Sequence, residues 1–249
     1  MKTSITPVLL AAGMLLPLLL TAQLNNVPRW QFTAGGGVFI YQGDLTPEKA
    51  GAYKTMRPLL YVAAARLVSP SFSLRLGLSG GSLRGDDSKY DEPAYRQQRN
   101  FNFHSGVTEL TGTAEWNILA RNYTGRGWAP YVFAGAGLSH LRIRRDWSRF
   151  NADYFSSEGQ LLPGLQEDQA HRLPSLLPVV PVGAGARYYF SDRLGLQAET
   201  SYRLMSSDYL DGFSRSVNPD KKDNYYSHTI SIVYRIGKKD MLKCPPLPY

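Results

Sequence analysis

The chain has 249 residues, a formal charge of +8 and a single cysteine, and aromatic residues make up 12% of it. The cationic residues are spread along the chain, so no contiguous basic stretch indicates a nucleic-acid-binding protein. Mean hydropathy is −0.29, which fits a soluble all-β domain and also a transmembrane barrel, because alternation dilutes the apolar surface of barrel strands.

The chain begins with an apolar leader. Residues 1–22 read MKTSITPVLLAAGMLLPLLLTA, in which Lys2 precedes an apolar stretch and small residues precede Gln23. This pattern is typical of a secretory signal peptide. A retained membrane anchor is the alternative, but Pro17 interrupts the stretch, and a spanning helix needs about 20 apolar residues. We therefore expect residues 23–249 to form the exported chain.

After the leader, about eight segments alternate between apolar and polar residues with the period of a β-strand. In the first segment, one face holds Trp30, Phe32, Ala34, Gly36, Val38 and Ile40, and the other holds Gln31, Thr33, Gly35 and Gly37. Further segments lie around 59–68, 72–79, 109–118, 131–143, 180–190, 194–204 and 226–236. Their length suits strands that cross a membrane in a barrel.

The connections between these segments alternate between short and long. The short ones are 69–71, 121–129 and 191–193, and the long polar ones are 42–56, 85–100, 144–178 and 206–224. Outer-membrane barrels have short periplasmic turns and long extracellular loops. The sequence therefore predicts an all-β protein of the cell outer membrane. Residues 23–236 form an eight-stranded antiparallel transmembrane β-barrel, and residues 237–249 form a periplasmic C-terminal tail.

The two faces of the predicted strands differ in chemistry. Aromatic residues end the apolar faces, as at Trp30, Tyr226 and Tyr234, in keeping with interfacial girdles. The opposite faces carry Arg75, Arg187, Arg203 and Arg235 together with Glu109, Glu115 and Glu199. Because an eight-stranded lumen has room only for side chains, we expect these groups to form a paired, hydrogen-bonded plug in place of a pore.

Several stretches resemble a family of Bacteroidota outer-membrane β-barrel proteins that includes the PorG-like component of the type IX secretion system. They are YQGDL, RNFNFHSGVTELTGTAEWNIL, YVFAGAGL, SSDYLDGFSRSVNPDKKDNYYSHTISIVYRIG and KCPPLPY. The resemblance implies a barrel that attaches periplasmic secretion machinery to the outer membrane and catalyses nothing itself. Common outer-membrane barrels end on a terminal strand aromatic, whereas here GKKDMLKCPPLPY follows the last segment.

Residues that could carry chemistry lack the spacing that it requires. The glycine clusters at 35–37, 135–137 and 183–185 precede no Lys-Ser/Thr pair, so a phosphate cradle is not predicted. His104, His140, His171 and His228 share no metal-ligand spacing, and no serine is singled out as a nucleophile. Asp44 and the Asp-rich loop near Asp211 favour turn hydrogen bonds over a Ca²⁺ site. We therefore predict no catalytic residue, cofactor or metal.

The single cysteine, Cys244, lies in the predicted tail beside Lys243 and Pro245, with Lys238 and Lys239 nearby. In an oxidising compartment an unpaired cysteine indicates an intermolecular bond or a free thiol. An exposed thiol on a frayed terminus is one interpretation. The lysines, which favour the thiolate, and the partner that the resemblance implies support a second interpretation. In that one, Cys244 and the lysines bind a periplasmic secretion-apparatus subunit through a disulfide.

Two functions are therefore compared, and an enzyme with acid, histidine and serine groups at the extracellular rim is a third alternative. The first is a non-enzymatic barrel that lies in outer-membrane lipid and anchors or docks a periplasmic assembly, as the resemblance implies for type IX secretion. The second is a surface barrel whose extracellular loops bind a ligand or mediate adhesion. The tail distinguishes them, because a purely extracellular binder needs no basic, cysteine-bearing segment on the periplasmic side.

Overall fold

The computed structural model describes residues 27–205, 207, 209–217 and 223–237, and in it eight antiparallel strands close into a barrel in sequential order. The strands are β1 (Trp30–Gln42), β2 (Arg57–Leu67), β3 (Phe72–Asp86), β4 (Asn102–Asn117), β5 (Gly127–Asp146), β6 (Leu176–Tyr189), β7 (Leu194–Met205) and β8 (Asn224–Ile236). The barrel closes where β1 pairs with β8. Each strand has two partners, so no open edge remains, and the predicted fold is confirmed.

The connections alternate in length as predicted, with short turns after β2, β4 and β6 and long loops after β1, β3, β5 and β7. One predicted loop is too long at both ends. The sequence placed a loop over 144–178, but β5 extends to Asp146 and β6 begins at Leu176. The ladder between β4 and β5 continues to the pair Asn102 and Asp146, and the ladder between β5 and β6 reaches the pair His140 and Leu176. Residues 144–146 read RRD, so the apolar–polar alternation of β5 ends before the strand does.

The long loops contain regular structure of their own. Helix α1 (Tyr95–Arg99) lies between β3 and β4, and helix α2 (Leu161–Ala170) lies between β5 and β6. Short 3-10 helices cover Tyr53–Thr55 and Asp87–Lys89. Within the described ranges, no helix is long and apolar enough to cross a membrane.

The outer surface of the barrel carries an apolar belt, formed by outward-facing strand residues that remain exposed although they are hydrophobic. Leu76 and Ile232 are 59% and 57% exposed, whereas the neighbouring lumen residue Ser231 is 2% exposed. Further belt residues are Phe32, Leu60, Val62, Leu74, Leu78, Leu110, Val132, Leu138, Val180, Leu196 and Ile230. An apolar exterior of this kind is stable only when lipid surrounds it.

Exposed aromatic residues ring the belt at the end that holds the short turns. They are Trp30, Phe72, Trp116, Trp128, Tyr188, Phe190 and Tyr234. Trp30 and Tyr234 thus confirm the predicted girdle, which suits the membrane interface. Tyr226 does not, because the first long loop covers it. The Tyr226 hydroxyl donates to the carbonyl of Ala50, the Tyr53 ring lies against it, and the neighbouring Ile40 is also fully buried.

The glycine cluster of β1 allows close packing of two strands. A Cβ atom added at Gly35 would collide with the carbonyl oxygen of Ile230 and with Ser231 on β8. By contrast, a Cβ added at Gly80, on the outward face of β3, would meet no atom within 4 Å. Gly35 is therefore required by the close approach of β1 and β8, as strand glycines often are.

Candidate functional site: the filled lumen and the extracellular cap

Four ionised side chains form a network across the middle of the lumen. Arg75 lies 2.5 Å from a carboxylate oxygen of Glu199 and 2.9 Å from one of Glu115. Arg187 lies 2.8 Å from both oxygens of Glu115. These two arginines and two glutamates balance in charge, and Tyr131 donates a further 2.6 Å hydrogen bond to Glu199. We call this set, with Arg203 and Glu109, the lumen network.

The second part of the lumen network lies nearer the extracellular end. Arg203 approaches Glu109 at 3.2 Å, and its Nη1 donates to the carbonyl of Ser201 and to the Ser227 hydroxyl. Tyr225 donates a 2.6 Å hydrogen bond to the same glutamate. Buried charges are tolerated only when they are paired and their remaining donors and acceptors are satisfied. The predicted plug of paired charges is thus confirmed for these arginines.

Arg235 departs from the prediction. It is 1% exposed, but its guanidinium reaches no glutamate. Instead it donates to the carbonyls of Thr124, at 2.6 Å, and Arg121, and it stacks 3.3 Å from the Tyr189 ring. The expected pairing with a glutamate is wrong, because the side chain lies at the end of β8 directly above the turn that joins β4 and β5. Arg235 therefore closes the periplasmic end of the lumen by holding that turn.

The short turns are tied to one another as well. Asn122 donates from its side-chain amide to the carbonyl of Ser69 at 3.0 Å and accepts a hydrogen bond from Asn117 at 3.2 Å. The turn after β2 and the turn after β4 are joined by these bonds. The backbone N–H of Arg235 also donates to the carbonyl of Arg193, in the third turn. Hydrogen bonds therefore connect the three short turns on the periplasmic face, directly or through Arg235.

The four long loops pack together at the opposite end, and we call their described residues, within 43–56, 87–101, 147–175 and 207–223, the extracellular cap. Asp87 is fully buried and accepts hydrogen bonds from Arg96 at 2.7 Å and from Arg99 at 2.6 Å. Both arginines also donate to the carbonyl of Asp44, in the first loop. Burial alone lowers the pKa of Arg99, but the hydrogen bonds and charge of Asp87 outweigh it and hold that pKa above its ordinary value.

A second buried carboxylate joins the third and fourth loops. Asp168, in α2, accepts hydrogen bonds from the backbone N–H groups of Ser214, Arg215 and Ser216 at 2.9–3.2 Å. It also accepts one from the Ser216 hydroxyl at 2.6 Å. Hydrogen bonds to an ionised carboxylate are among the stronger ones in proteins. The aspartate thus fixes residues 214–216 of the fourth loop, whose described residues before β8 belong to no helix or strand.

Stacked aromatic rings fill the space between these polar ties. Phe101 stacks on Phe213 with centroids 4.5 Å apart, and Phe150 stacks on Phe155 at 5.4 Å. The rings of Phe101 and Phe150 also approach each other, at 5.6 Å, which connects the two pairs. Phe101, Phe155 and Phe213 are almost completely buried. The cap is therefore a packed structure continuous with the upper lumen, whose core includes Phe39.

The four histidines lie in three regions, with His104 and His140 on the neighbouring strands β4 and β5. His104 and His140 point outward from β4 and β5, and His171 stacks on Tyr209 at the exposed side of the cap. His228 points outward from β8 and hydrogen-bonds the Thr200 hydroxyl at 2.9 Å and the Tyr53 hydroxyl at 3.3 Å. Within the described ranges, no three histidine, cysteine or acidic side chains form a set that could hold a metal ion.

The predicted partner-binding residues lie outside the described ranges. These are Cys244, Lys238, Lys239 and Lys243, and the leader 1–22 also lies outside. The domain boundaries at 22 and 236 and the binding role of the tail therefore stay predictions. Sequence reasoning did not find the extracellular cap, and the pairs Asp87 with Arg99 and Asp168 with Ser216 follow no local spacing that could have revealed it.

The sequence model of the family described as Domain of unknown function (DUF6089) matches residues 9–244. No curated protein matches the sequence significantly. Among solved structures, the chain is similar to the N-terminal β-barrel domain of OprF from Pseudomonas aeruginosa, at 10% identity and a TM-score of 0.45, with 85% of this chain and 100% of that chain covered.

Two further solved structures have comparable similarity. The attachment invasion locus protein Ail of Yersinia pestis shows 8% identity and a TM-score of 0.45 over 84% of this chain and 99% of that chain. The outer membrane protein OprG of Pseudomonas aeruginosa shows 9% identity and a TM-score of 0.44 over 86% of this chain and 100% of that chain. The membrane assignment follows from the molecule itself. A closed barrel with an apolar belt and an aromatic girdle is an outer-membrane protein, as predicted.

Proposed function

The chain belongs to the DUF6089 family, and we propose that this member is a non-enzymatic outer-membrane barrel that anchors a periplasmic assembly, that of type IX protein secretion. The observation that carries the proposal is that packed side chains obstruct the lumen at three levels. The lumen network occupies its middle, Arg235 closes its periplasmic end, and the extracellular cap covers the other end. Such a barrel has no open channel and presents a rigid surface to a partner.

The periplasmic face suits this role. Its turns are short and hydrogen-bonded to one another, through Asn122 and through the backbone of Arg235. A docked partner would therefore meet a surface that needs little ordering on binding, which favours affinity. The sequence adds the basic tail with Cys244 on the same side of the membrane.

The assignment to type IX secretion rests on sequence resemblance. The segments YQGDL, YVFAGAGL and KCPPLPY resemble the Bacteroidota barrel family that contains the PorG-like component of that system. For this chain we propose that Cys244 forms a disulfide with the periplasmic subunit, and that Lys238, Lys239 and Lys243 lower the pKa of its thiol. The disulfide then fastens the subunit to the barrel.

The second function, ligand binding or adhesion by the extracellular loops, gains less support. Loops that bind partners by adapting to them need freedom to move, whereas the described loops are tied through Asp87 and Asp168 and filled with aromatic rings. A rigid cap also presents a surface to partners outside the cell. The experiment therefore identifies bound partners on both sides of the membrane.

The proposal is tested by affinity purification of tagged protein from outer membranes without reductant. We expect a cross-linked species on non-reducing gels that is absent with reductant and in Cys244→Ser. A variant that ends after Gly237 separates docking by the turns from docking by the tail, because it removes the tail and keeps the described barrel. Wild-type protein that runs only as a monomer, with a thiol freely reactive toward maleimide, would overturn the tether. Recovery of extracellular partners alone would overturn the anchoring role.

A further inference from the structure

The last apolar residues on the outward faces of β3, β4 and β5, toward the extracellular end, form a row of leucines. Leu78 pairs with Leu110, and Leu110 pairs with Leu138, in the strand register. All three are about half exposed, at 47%, 49% and 49%. Because side chains alternate along a strand, every second residue beyond this row also points outward, toward the layer above the hydrocarbon.

These outward positions carry a cluster of basic side chains, which we call the basic arc: Arg84 on β3, His104 on β4, and His140, Arg142 and Arg144 on β5. Arg84 lies opposite His104, and His104 lies opposite Arg144, so three strands place basic groups in one row. His104, His140, Arg142 and Arg144 are exposed. The basic arc is therefore contiguous in space although its members come from distant parts of the chain.

The height of the basic arc above the belt matches the lipid headgroup layer. Two residues advance about 7 Å along a strand, so Arg142 and Arg144 lie roughly 14 and 20 Å along β5 from Leu138. Strands of outer-membrane barrels tilt by about 40°, which reduces these distances to roughly 10 and 15 Å along the membrane normal. Leu138 is in register with Leu78 through Leu110, two residues beyond the midplane residue Leu76, and so lies about 5 Å above the midplane. The two arginines therefore lie roughly 16 and 21 Å from the midplane, whereas the hydrocarbon ends about 15 Å from it. The guanidinium groups thus reach the layer in which lipid phosphates lie.

Small residues leave open space between the leucine row and the outermost basic groups. The outward positions there are Gly80 and Ser82 on β3 and Gly106 and Thr108 on β4. A Cβ added at Gly80 would meet no atom within 4 Å, and one added at Gly106 would find Arg142 Cβ as its nearest neighbour, at 3.8 Å. These four positions therefore form a shallow recess on the outer surface of the sheet, and the arginine side chains lie at its border.

The charges of the basic arc are only partly balanced by the protein. Arg84 pairs with Asp86 at 2.8 Å, and Asp146 accepts a hydrogen bond from Ser148 at the rim above. Within the described ranges, Arg142 and Arg144 form no ion pair. At the same height, outward strand positions of β1, β2, β6, β7 and β8 carry Val38, Leu60, Leu176, Thr200, Tyr202 and His228, and no arginine or lysine. The arginines at this height are therefore confined to one side of the barrel.

We propose that the basic arc binds the phosphorylated headgroups of lipids in the outer leaflet of the membrane. Arginine binds phosphate oxygens through two parallel N–H donors, and a histidine between two arginines adds a further donor. The leucine row packs against the acyl chains of the same lipid. One lipid molecule therefore contacts the leucine row with its acyl chains and the basic arc with its headgroup phosphates. This inference does not depend on the partner in the periplasm.

The test measures binding of diphosphoryl lipid A and of its dephosphorylated form to detergent-solubilised protein, by native mass spectrometry. The two lipids share their acyl chains, so their difference isolates the phosphates. Each basic residue near a membrane surface contributes about fivefold to the binding of anionic lipid, so Arg142→Gln/Arg144→Gln should weaken binding of the phosphorylated form about 30-fold. The dephosphorylated form should bind both proteins equally.

The matched control is Arg126→Gln/Arg193→Gln, which removes two exposed arginines from the periplasmic turns and should leave lipid binding unchanged. Heat-modifiable gel mobility checks that each variant is folded. Equal loss in both double variants would show a general charge effect and overturn the proposal. Equal binding of phosphorylated and dephosphorylated lipid, or full displacement of the lipid by inorganic phosphate at millimolar concentration, would also overturn it.

Discussion

Arg187 on β6 and Glu115 on β4 stand 72 residues apart in the chain and meet on the inner side of β5, with Nη2 of the arginine 2.8 Å from both carboxylate oxygens. Each side chain is 1% exposed. A pair so deeply buried gives its net stabilisation only while both partners are present, because either charge alone is left in a medium that cannot solvate it. The pair therefore couples β4 and β6, which share β5 as their neighbour and do not pair with each other.

Removing the carboxylate charge at this point should destabilise the barrel strongly. Glu115→Gln leaves Arg75 and Arg187 with one carboxylate between them, and loss of one partner of a buried pair costs about 3–5 kcal/mol. The measurement is the free energy of unfolding in urea, in lipid vesicles, followed by tryptophan fluorescence. Glu158→Gln, at an exposed loop position, is the matched control and should change the free energy of unfolding by less than about 0.5 kcal/mol. Equal stability of both variants would contradict the network.

The faces of the strands are tested at Leu76, which is exposed in the middle of the outward residues of β3. Leu76→Arg should lower the free energy of unfolding by about 2–4 kcal/mol, because it brings a charge to the bilayer midplane. Leu76→Phe keeps an apolar side chain at the same position and should be nearly neutral in the same vesicle assay. If the arginine variant is as stable as the phenylalanine variant, Leu76 does not face lipid.

The close approach of β1 and β8 is tested with one methyl group. Gly35→Ala forces a Cβ onto the backbone of Ile230 and Ser231, and overpacking of this kind costs about 1–3 kcal/mol. Gly80→Ala introduces the same methyl group where no atom lies within 4 Å, so it should be neutral or slightly stabilising. The difference between the free energies of unfolding of the two variants measures the cost of crowding between β1 and β8. A difference of zero would contradict the close packing of these two strands.

Much of the barrel could be predicted because its strands obey a single period. The outward run Leu74, Leu76 and Leu78 identifies β3 without knowledge of its neighbours, and the alternation of loop lengths orients the barrel in the membrane. The arginines and glutamates of the lumen were found in the same way, since the inward positions follow once the outward ones are known. The predictions that failed concern residues at strand ends.

Arg235 and Tyr226 show why the contacts of residues at strand ends are difficult to predict from the sequence. Arg235 binds the carbonyl of Thr124, 111 residues away, so its partner depends on where a turn folds beneath it. Tyr226 occupies an outward position, but the loop that covers it is placed by contacts from Tyr53 and Ala50. The extracellular cap is the extreme case. Its contacts join residues from different loops, and no periodicity along the chain marks them.

The cap should loosen independently of the barrel. Asp87→Asn removes the charge that holds Arg96 and Arg99 and frees the first two loops from each other, so proteolysis of residues 43–56 and 87–101 should become faster. Heat-modifiable mobility of the barrel should be retained. The control Asp153→Asn alters an exposed loop position and should leave the rate of proteolysis unchanged. Unchanged proteolysis in both variants would mean that Asp87 does not fasten the cap.

A filled, anchoring barrel is tested most directly by conductance in planar lipid bilayers. With the lumen network, Arg235 and the extracellular cap in place, reconstituted wild-type protein should add no steady ion-conducting steps to the membrane current. Insertion is verified independently, by protease protection of the barrel in vesicles prepared from the same sample. Large, long-lived current steps from protein that is inserted and folded would show an open path through the lumen and would contradict the proposed role.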